Sequence, residues 1–296
     1  MGSPLMLRSE WRVLVEQGLW PLLAALLPWR WALATVRRRS RGGAALLAHG
    51  RRSAAAAAAV YTEAANPGFA ERAQFVALLD QLDAFRSVLR GFGPLKHWQV
   101  EGAWPAAPCV AVSLHYGNGF WALGHLRQHG HRAHFVAQGV DPGWLRSRPV
   151  TRLIMRFRRW CHERLTEAAV IYTGGAKGRA AAALAAGESI VALIDVPHGL
   201  SRGCVPMRLF GQALAVQTGM IRLARELGVP VVPFLTRIGD GQNRRLLIGP
   251  SLREGTAEQV ARTVAEWLAE AAAADPAAWQ LWPQLPEFIQ AAADQP

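Results

Sequence analysis

Cysteine is scarce in this chain: Cys109, Cys161 and Cys204 are the only three. They lie far apart and are odd in number, so they supply neither a zinc-ligand spacing nor a disulfide framework, and a reducing, cytosol-facing compartment follows. Charge is also in short supply, at 18% of residues, and acid is scarcer than base, with 21 Asp and Glu against 33 Lys and Arg. The net charge of +12 suits an anionic surface, whether phospholipid headgroups, nucleic acid or an acidic carrier protein. No RNA- or DNA-binding motif is found, so a nucleic-acid partner would rest on charge alone and none is expected. A Gly-x-Ser-x-Gly elbow is absent, which weakens a serine-hydrolase reading. No His, Cys and Asp residues stand at metal-ligand spacing, so no metal is expected.

Apolar surface, by contrast, is in surplus: 51% of the residues are hydrophobic and 12 are Trp, more than an ordinary soluble enzyme hides. The segment Trp11 to Val36 holds four of those tryptophans among leucines and alanines, and Arg37, Arg38, Arg39 and Arg41 follow at once. A spanning helix needs about 20 consecutive apolar residues, and Pro21, Pro28 and Arg30 interrupt this one. The pattern predicts an interfacial or re-entrant anchor, with Trp at headgroup level and the arginines on anionic lipid. An amphipathic helix packed on the rest of the protein is the other reading. It is not a good signal peptide, because Glu10 and Glu16 precede the apolar run and the strongest positive charge follows it.

Three regions follow. Residues 1–42 read as the membrane-associating segment, a helical extension rich in Trp and Arg. Residues 43–97 read as helical packing, with helices over Ala44 to Ala65 and Phe69 to Leu89 joined at Asn66-Pro67-Gly68. Residues 98–296 alternate between short strands and helices. Strands are predicted at Gln99 to Gly102, Cys109 to Leu114, Ala133 to Ala137, Ala169 to Tyr172, Ser189 to Ile194, Val229 to Leu235 and Arg245 to Ile248. Helices are predicted at Phe120 to Gln128, Trp144 to Cys161, Ala176 to Ala186, Val216 to Leu227 and Ala257 to Ala274. Such alternation predicts an α/β fold, a mostly parallel central sheet sandwiched by helices.

The stretch Cys109 to Gly124 brings strand, turn and helix together around one imidazole. Its apolar run ends at His115, and Gly117 and Gly119 flank Asn118 before the helix that starts at Phe120. Ligands of open α/β sheets bind beyond the carboxyl ends of strands, and a helix N-terminus there favours the neutral imidazole that a general base needs. A capping or core histidine is the other reading. Asp195 ends the apolar run Ile190 to Ile194 in the same way, as a site residue or as an Asx-turn or helix cap. The loop Gly174 to Arg179 fits neither phosphate-binding fingerprint, so a plain helix start is favoured, although Lys177 and Arg179 could meet a phosphate.

Together these residues make the segment from Val110 to Leu252 resemble the bacterial late acyltransferases of lipid A synthesis, the lauroyl/myristoyl acyltransferases, within the wider glycerolipid acyltransferase-like group. His-Tyr-Gly-Asn at 115 to 118 is similar to the family's His-x-Gly-Asn-Trp-Glu. Leu184 to Glu188 before Ile190 to Asp195, Val205 to Gly211, Gln217-Thr218-Gly219, Leu223-Ala224 and Val229 to Phe234 follow in the family's order. Trp279 to Trp282 resembles its C-terminal tryptophan motif, and the Trp-rich opening segment matches its membrane helix in position.

The resemblance implies transfer of a fatty acyl chain from an acyl carrier protein or coenzyme A thioester to a hydroxyl of a lipid or glycolipid, with no further cofactor. It implies a place at the cytoplasmic face of the inner membrane, peripheral or monotopic. The group's motif is His-x4-Asp/Glu, in which the histidine deprotonates the acceptor and the carboxylate orients it. His115 is then the base, Gly117 and Asn118 shape the substrate site, backbone N–H groups near Gly117 to Gly119 are candidate oxyanion donors, and at least one of Arg152, Arg156 and Arg158 faces the donor phosphate or carrier; a solvated or lipid-facing basic stripe is the other reading of those three.

This chain departs from the motif at Phe120, where the family carries its acid. Three readings follow: Asp195, or else Asp141 or Glu188, orients His115; His115 works alone; or the chain binds an acyl chain or lipid without catalysis, as a partner of another enzyme.

Overall fold

Short runs of Val, Ile, Leu and Ala become strands here because both faces of the sheet they form are covered. The computed structural model describes residues 10–42, 48–61, 64, 66–90, 98–196, 203–239 and 243–288. Its strands are β1 (Trp98–Glu101), β2 (Val110–Ser113), β3 (Ala133–Ala137), β4 (Ile171–Tyr172), β5 (Ser189–Leu193), β6 (Cys204–Leu209), β7 (Gln212–Gln217), β8 (Val231–Ile238) and β9 (Arg244–Ile248). Seven form one sheet in the order β1-β9-β8-β2-β5-β3-β4, and β6 and β7 pair separately. Every neighbouring pair in the large sheet is parallel except β8 with β9.

The helices are α1 (Trp20–Leu26), α2 (Trp29–Ser40), α3 (Ala48–Ala58), α4 (Pro67–Leu89), α5 (Phe120–Gln128), α6 (Pro142–Arg146), α7 (Pro149–Thr166), α8 (Ala176–Ala185), α9 (Gly219–Glu226) and α10 (Ala257–Ala272). The alternation of strand side chains divides the core in two. Ala111, Val191 and Val232 face Phe120, Leu123 and Leu126 of α5 and Cys161 and Leu165 of α7. Val110, Val112, Ile190 and Val231 share the other cluster with α8, α9 and α10. The chain is therefore α/β, a mostly parallel mixed sheet flanked by helices, as its alternation predicts.

Three predicted elements change on folding. The helix expected over Trp144 to Cys161 is two helices, broken before Pro149, which takes the first position of α7. The helix expected from Val216 starts only at Gly219, because Gln212–Gln217 pairs antiparallel with Cys204–Leu209. Phe210 and Gly211 close that hairpin with φ of 51° and 81°, the left-handed pair that a tight two-residue turn demands. The alanine-rich helix spans only Ala48–Ala58, and residues 44–47, 62–63 and 65 of its expected range lie outside the described residues.

The N-terminal segment folds as a π-helical turn, Leu14–Leu19, followed by α1 and α2, with the break at Leu27-Pro28. Both helices pack on α4 and bury Ala24, Ala25, Ala32, Leu33 and Val36 there. Arg86 of α4 and Arg90 just after it donate to the carbonyls of Leu27 and Leu26, satisfying the groups that the broken helix leaves open. Leu23, Leu26 and Trp31 remain exposed. No helix among the described residues is long and apolar enough to cross a membrane.

Candidate active site

Register brings the two predicted site residues together. β2 and β5 run parallel with Ser113 beside Leu193, and each chain continues two residues further before its polar residue, His115 or Asp195. His115 Nδ1 lies 2.9 Å from Asp195 Oδ1. The same carboxylate accepts the backbone N–H of His115 at 2.8 and 2.9 Å and the indole Nε1–H of Trp279 at 2.8 Å. Asp195 is fully buried, whereas the His115 side chain keeps about a third of its surface, 34%. A carboxylate on Nδ1 places the neutral ring's proton there and leaves the Nε2 lone pair for chemistry.

Burial opposes a charge on this imidazole, but the Asp195 charge, its hydrogen bonds and the charge of Asp80 outweigh it. The His115 pKa is therefore raised above its ordinary value. Asp195 thus makes the imidazole contact that a phenyl ring at Phe120 cannot make. Neither alternative carboxylate is near: Asp141 caps α6 by accepting from the amides of Gly143 and Trp144. Glu188 stands at the opposite end of β5, paired with His134 and Arg132.

The turn after His115 is built rather than left open for ligand. Gly117 has φ of +59°, and a Cβ there would collide with the carbonyl of Thr236. Asn118 is fully buried; its Oδ1 accepts from Phe120 N at 3.1 Å and its Nδ2 donates to Asp83, which also pairs with buried Arg244. The Asn118 amide donates to Thr236 Oγ1 at 3.0 Å, and the Gly117 amide to Ala278 O at 3.0 Å. Gly117 and Asn118, expected to shape the substrate site, shape this turn, and their backbone N–H groups are engaged within the protein. Gly119 is exposed and lies on the cavity wall.

A cavity of about 200 Å³ opens beside His115, walled by Phe120, Leu123, Phe135, Val191, Leu193 and Phe234. Arg158 is the one predicted arginine on it. Its guanidinium lies over the Phe120 ring at 5.1 Å and donates to Asp80 at 2.8 Å. Arg152 and Arg156 are exposed on α7 and line no part of the cavity, since they lie on the outward side of a helix that turns Ile154 inward. Phe120 is 2% exposed and packs against His162, which also stacks on Phe135. Burial and Arg158 push the His162 pKa down to about 3, so that ring is neutral at physiological pH.

No protein-family model and no curated protein matches the chain. The arrangement therefore has to be read from its own chemistry. A second, polar cleft of about 300 Å³ adjoins the apolar cavity and shares Asp80, Arg158 and Gln280 with it. The site thus combines an oriented imidazole, an apolar chamber and a polar annex. Lys177 and Arg179 take no part: Lys177 pairs with Glu226, and Arg179 donates to the carbonyls of Tyr172 and Gly174.

Asp80, His162 and Gln280 carry no sequence signal of their own. They sit on α4, on α7 and on the segment after α10, and only the tertiary fold brings them to His115. Trp279 is visible in the sequence as part of a tryptophan pair, but its contact with Asp195 is not.

Proposed function

We propose that this protein is an O-acyltransferase of the glycerolipid acyltransferase-like kind, related to the late acyltransferases of lipid A synthesis. It moves a fatty acyl chain from an acyl carrier protein or coenzyme A thioester to a hydroxyl of a lipid or related acceptor. The observation that carries the reading is the buried Asp195 on His115 Nδ1 at the mouth of an apolar cavity. That is the base-and-orienter pair that acyl transfer to an alcohol requires, with the acid supplied from the end of β5.

In this reading His115 Nε2 takes the proton from the acceptor hydroxyl as its oxygen bonds to the thioester carbonyl carbon. The carbonyl oxygen becomes an oxyanion, for which the Gly119 amide and Arg158 are the donors at hand. Collapse re-forms the carbonyl and breaks the carbon–sulfur bond. The imidazolium, stabilised by Asp195, returns its proton to the departing thiolate, so ester and free thiol leave and the base is restored. The apolar cavity suits the hydrocarbon of the donor.

The outer surface supports a membrane setting, which the resemblance puts on the cytoplasmic side. Leu23, Leu26 and Trp31 on α1 and α2, and Leu153 and Trp160 on α7, are exposed. Arg30, Arg38, Arg152, Arg156, Arg159 and Arg164 are exposed on those same helices. Apolar side chains among arginines fit a peripheral or monotopic protein on anionic lipid. The same region reaches the site: Glu16 and Gln17 of the preceding turn line the polar cleft, and Arg158 and His162 of α7 line the cavity.

The test is acyl transfer by purified protein from acyl carrier protein and coenzyme A thioesters to membrane lipid extract, beside His115→Ala. Product from the wild type that is lost in the variant is the expected result. Equal product from both removes His115 as base, and no product from either favours an acyl-binding protein without catalysis. Flotation with anionic against zwitterionic vesicles tests the membrane setting; equal recovery with both, or none with either, overturns it.

A further inference from the structure

Asp195 is gripped by a residue that arrives from far along the chain. We infer that Trp279 is a positioning residue of the His115–Asp195 pair, its indole N–H holding Oδ2 so that Oδ1 stays on the imidazole. The inference rests on the reading of His115 as the base.

The segment carrying Trp279 is fastened to both halves of the pair. Trp279 forms an antiparallel bridge with Tyr116. The amide of Gly117 donates to Ala278 O, the amide of Gln280 donates to His115 O at 2.8 Å, and Gln280 Nε2 donates to Gly117 O at 2.7 Å. The Trp279 ring is fully buried, edge-on to Trp282 at 5.1 Å and against Phe210 and Phe288. It therefore has one orientation, and its N–H ends on Asp195.

A buried indole N–H needs some acceptor, and a backbone carbonyl would serve. Trp282, in the same aromatic cluster, uses Pro276 O at 2.8 Å. Trp279 instead spends its N–H on a fully buried carboxylate, where a hydrogen bond to a charged group is worth more than one to a neutral acceptor. It also settles a geometric problem. A carboxylate can swing about its Cβ–Cγ bond, and a donor on the second oxygen removes that freedom.

The charge consequence has a definite sign. The donors on Asp195 share one negative charge, so removing the indole N–H leaves more of it to stabilise the imidazolium. The other charged groups around the ring, Asp80 on α4 and Arg158 on α7, pair with each other, and His162 is neutral. The Trp279 N–H is bonded to Asp195, and the substitution leaves those other groups in place.

The experiment is an NMR titration of the His115 ring in the full-length protein, comparing wild type, Trp279→Phe and Trp282→Phe. The expected result is an upward shift of the His115 midpoint by roughly 0.5 to 1 pH unit in Trp279→Phe, with Trp282→Phe unmoved. In acyl transfer the acid limb of kcat/KM moves upward with it, and kcat falls more than KM changes. An unmoved midpoint, or an equal shift in both variants, overturns the inference. Should Trp279→Phe fail to fold, the wild-type indole N–H resonance decides: it should titrate with the His115 midpoint, and independence from it overturns the inference. The NMR readout needs no turnover, so an absence of acyl transfer in the wild type sinks the proposed function while leaving this test intact.

Discussion

β5 carries an imidazole–carboxylate pair at each end, and the two differ in what they leave unused. At its start, Glu188 lies 2.6 Å from His134 Nε2 and 2.9 Å from Arg132. His134 Nδ1 meets Ala169 O at 2.8 Å, so both ring nitrogens have partners. At the other end Asp195 engages one ring nitrogen of His115, Nδ1, and His115 lines a cavity. The first pair ties β3 to the edges of β4 and β5. The second has a nitrogen to spend on a substrate. Distance alone would rank the pairs the other way round; the uncommitted nitrogen and the adjoining space separate a fastening from a candidate base.

Breaking the second pair has the largest expected consequence. Asp195→Asn is expected to cost acyl transfer up to about 10⁴-fold by favouring the wrong ring tautomer, and His115→Ala about 10²- to 10⁴-fold by removing the base. Steady-state rates with a thioester donor measure both.

Phe120→Glu comes next. Restoring an acid at the family position does not help, because His115 Nδ1 already has its carboxylate and the Phe120 ring fills the core. Lost packing and a buried carboxylate are expected to lower stability by about 3–5 kcal/mol and activity with it. Urea unfolding checks the first effect. A gain in rate would show that Asp195 is not the orienter.

The pH profile is a gentler probe. A raised imidazole pKa means that the base form is lost as pH falls through a value above about 6.5, so the acid limb is expected on that side. A limb at lower pH would separate His115 from catalysis. Glu188→Gln has the smallest effect: activity is expected within about twofold and stability lower by roughly 1 kcal/mol. A large activity loss there would erase the contrast between the two ends of β5.

His115 and Asp195 were legible because each follows an apolar run and precedes turn residues. A strand's end is visible in one sequence, but which strand lies beside it is not. That is why the sequence favours Asp195 as the partner of His115 yet leaves Asp141 and Glu188 as alternatives, whereas the pairing of β2 with β5 puts Asp195 on the ring. The hairpin from Cys204 to Gln217 was hidden for a different reason. Its turn is Phe-Gly rather than Asn-Gly, and Gln212 to Gln217 contains two alanines that suit a helix as well as a strand. The outward face of α7 was legible only as arginines; their separation into Arg158 at the cavity and Arg152 and Arg156 in solvent depends on the helix starting at Pro149.

The grip of Trp279 on Asp195 also has a timing. The two residues are 84 positions apart, and at ordinary bacterial and eukaryotic elongation rates that interval takes roughly 4 to 17 s to synthesise. His115 and Asp195 thus leave the ribosome well before the indole that holds them. A nascent chain in that interval has both members of the pair without the indole that holds them, which arrives 84 residues after Asp195. Translation itself sets the order in which the site is assembled.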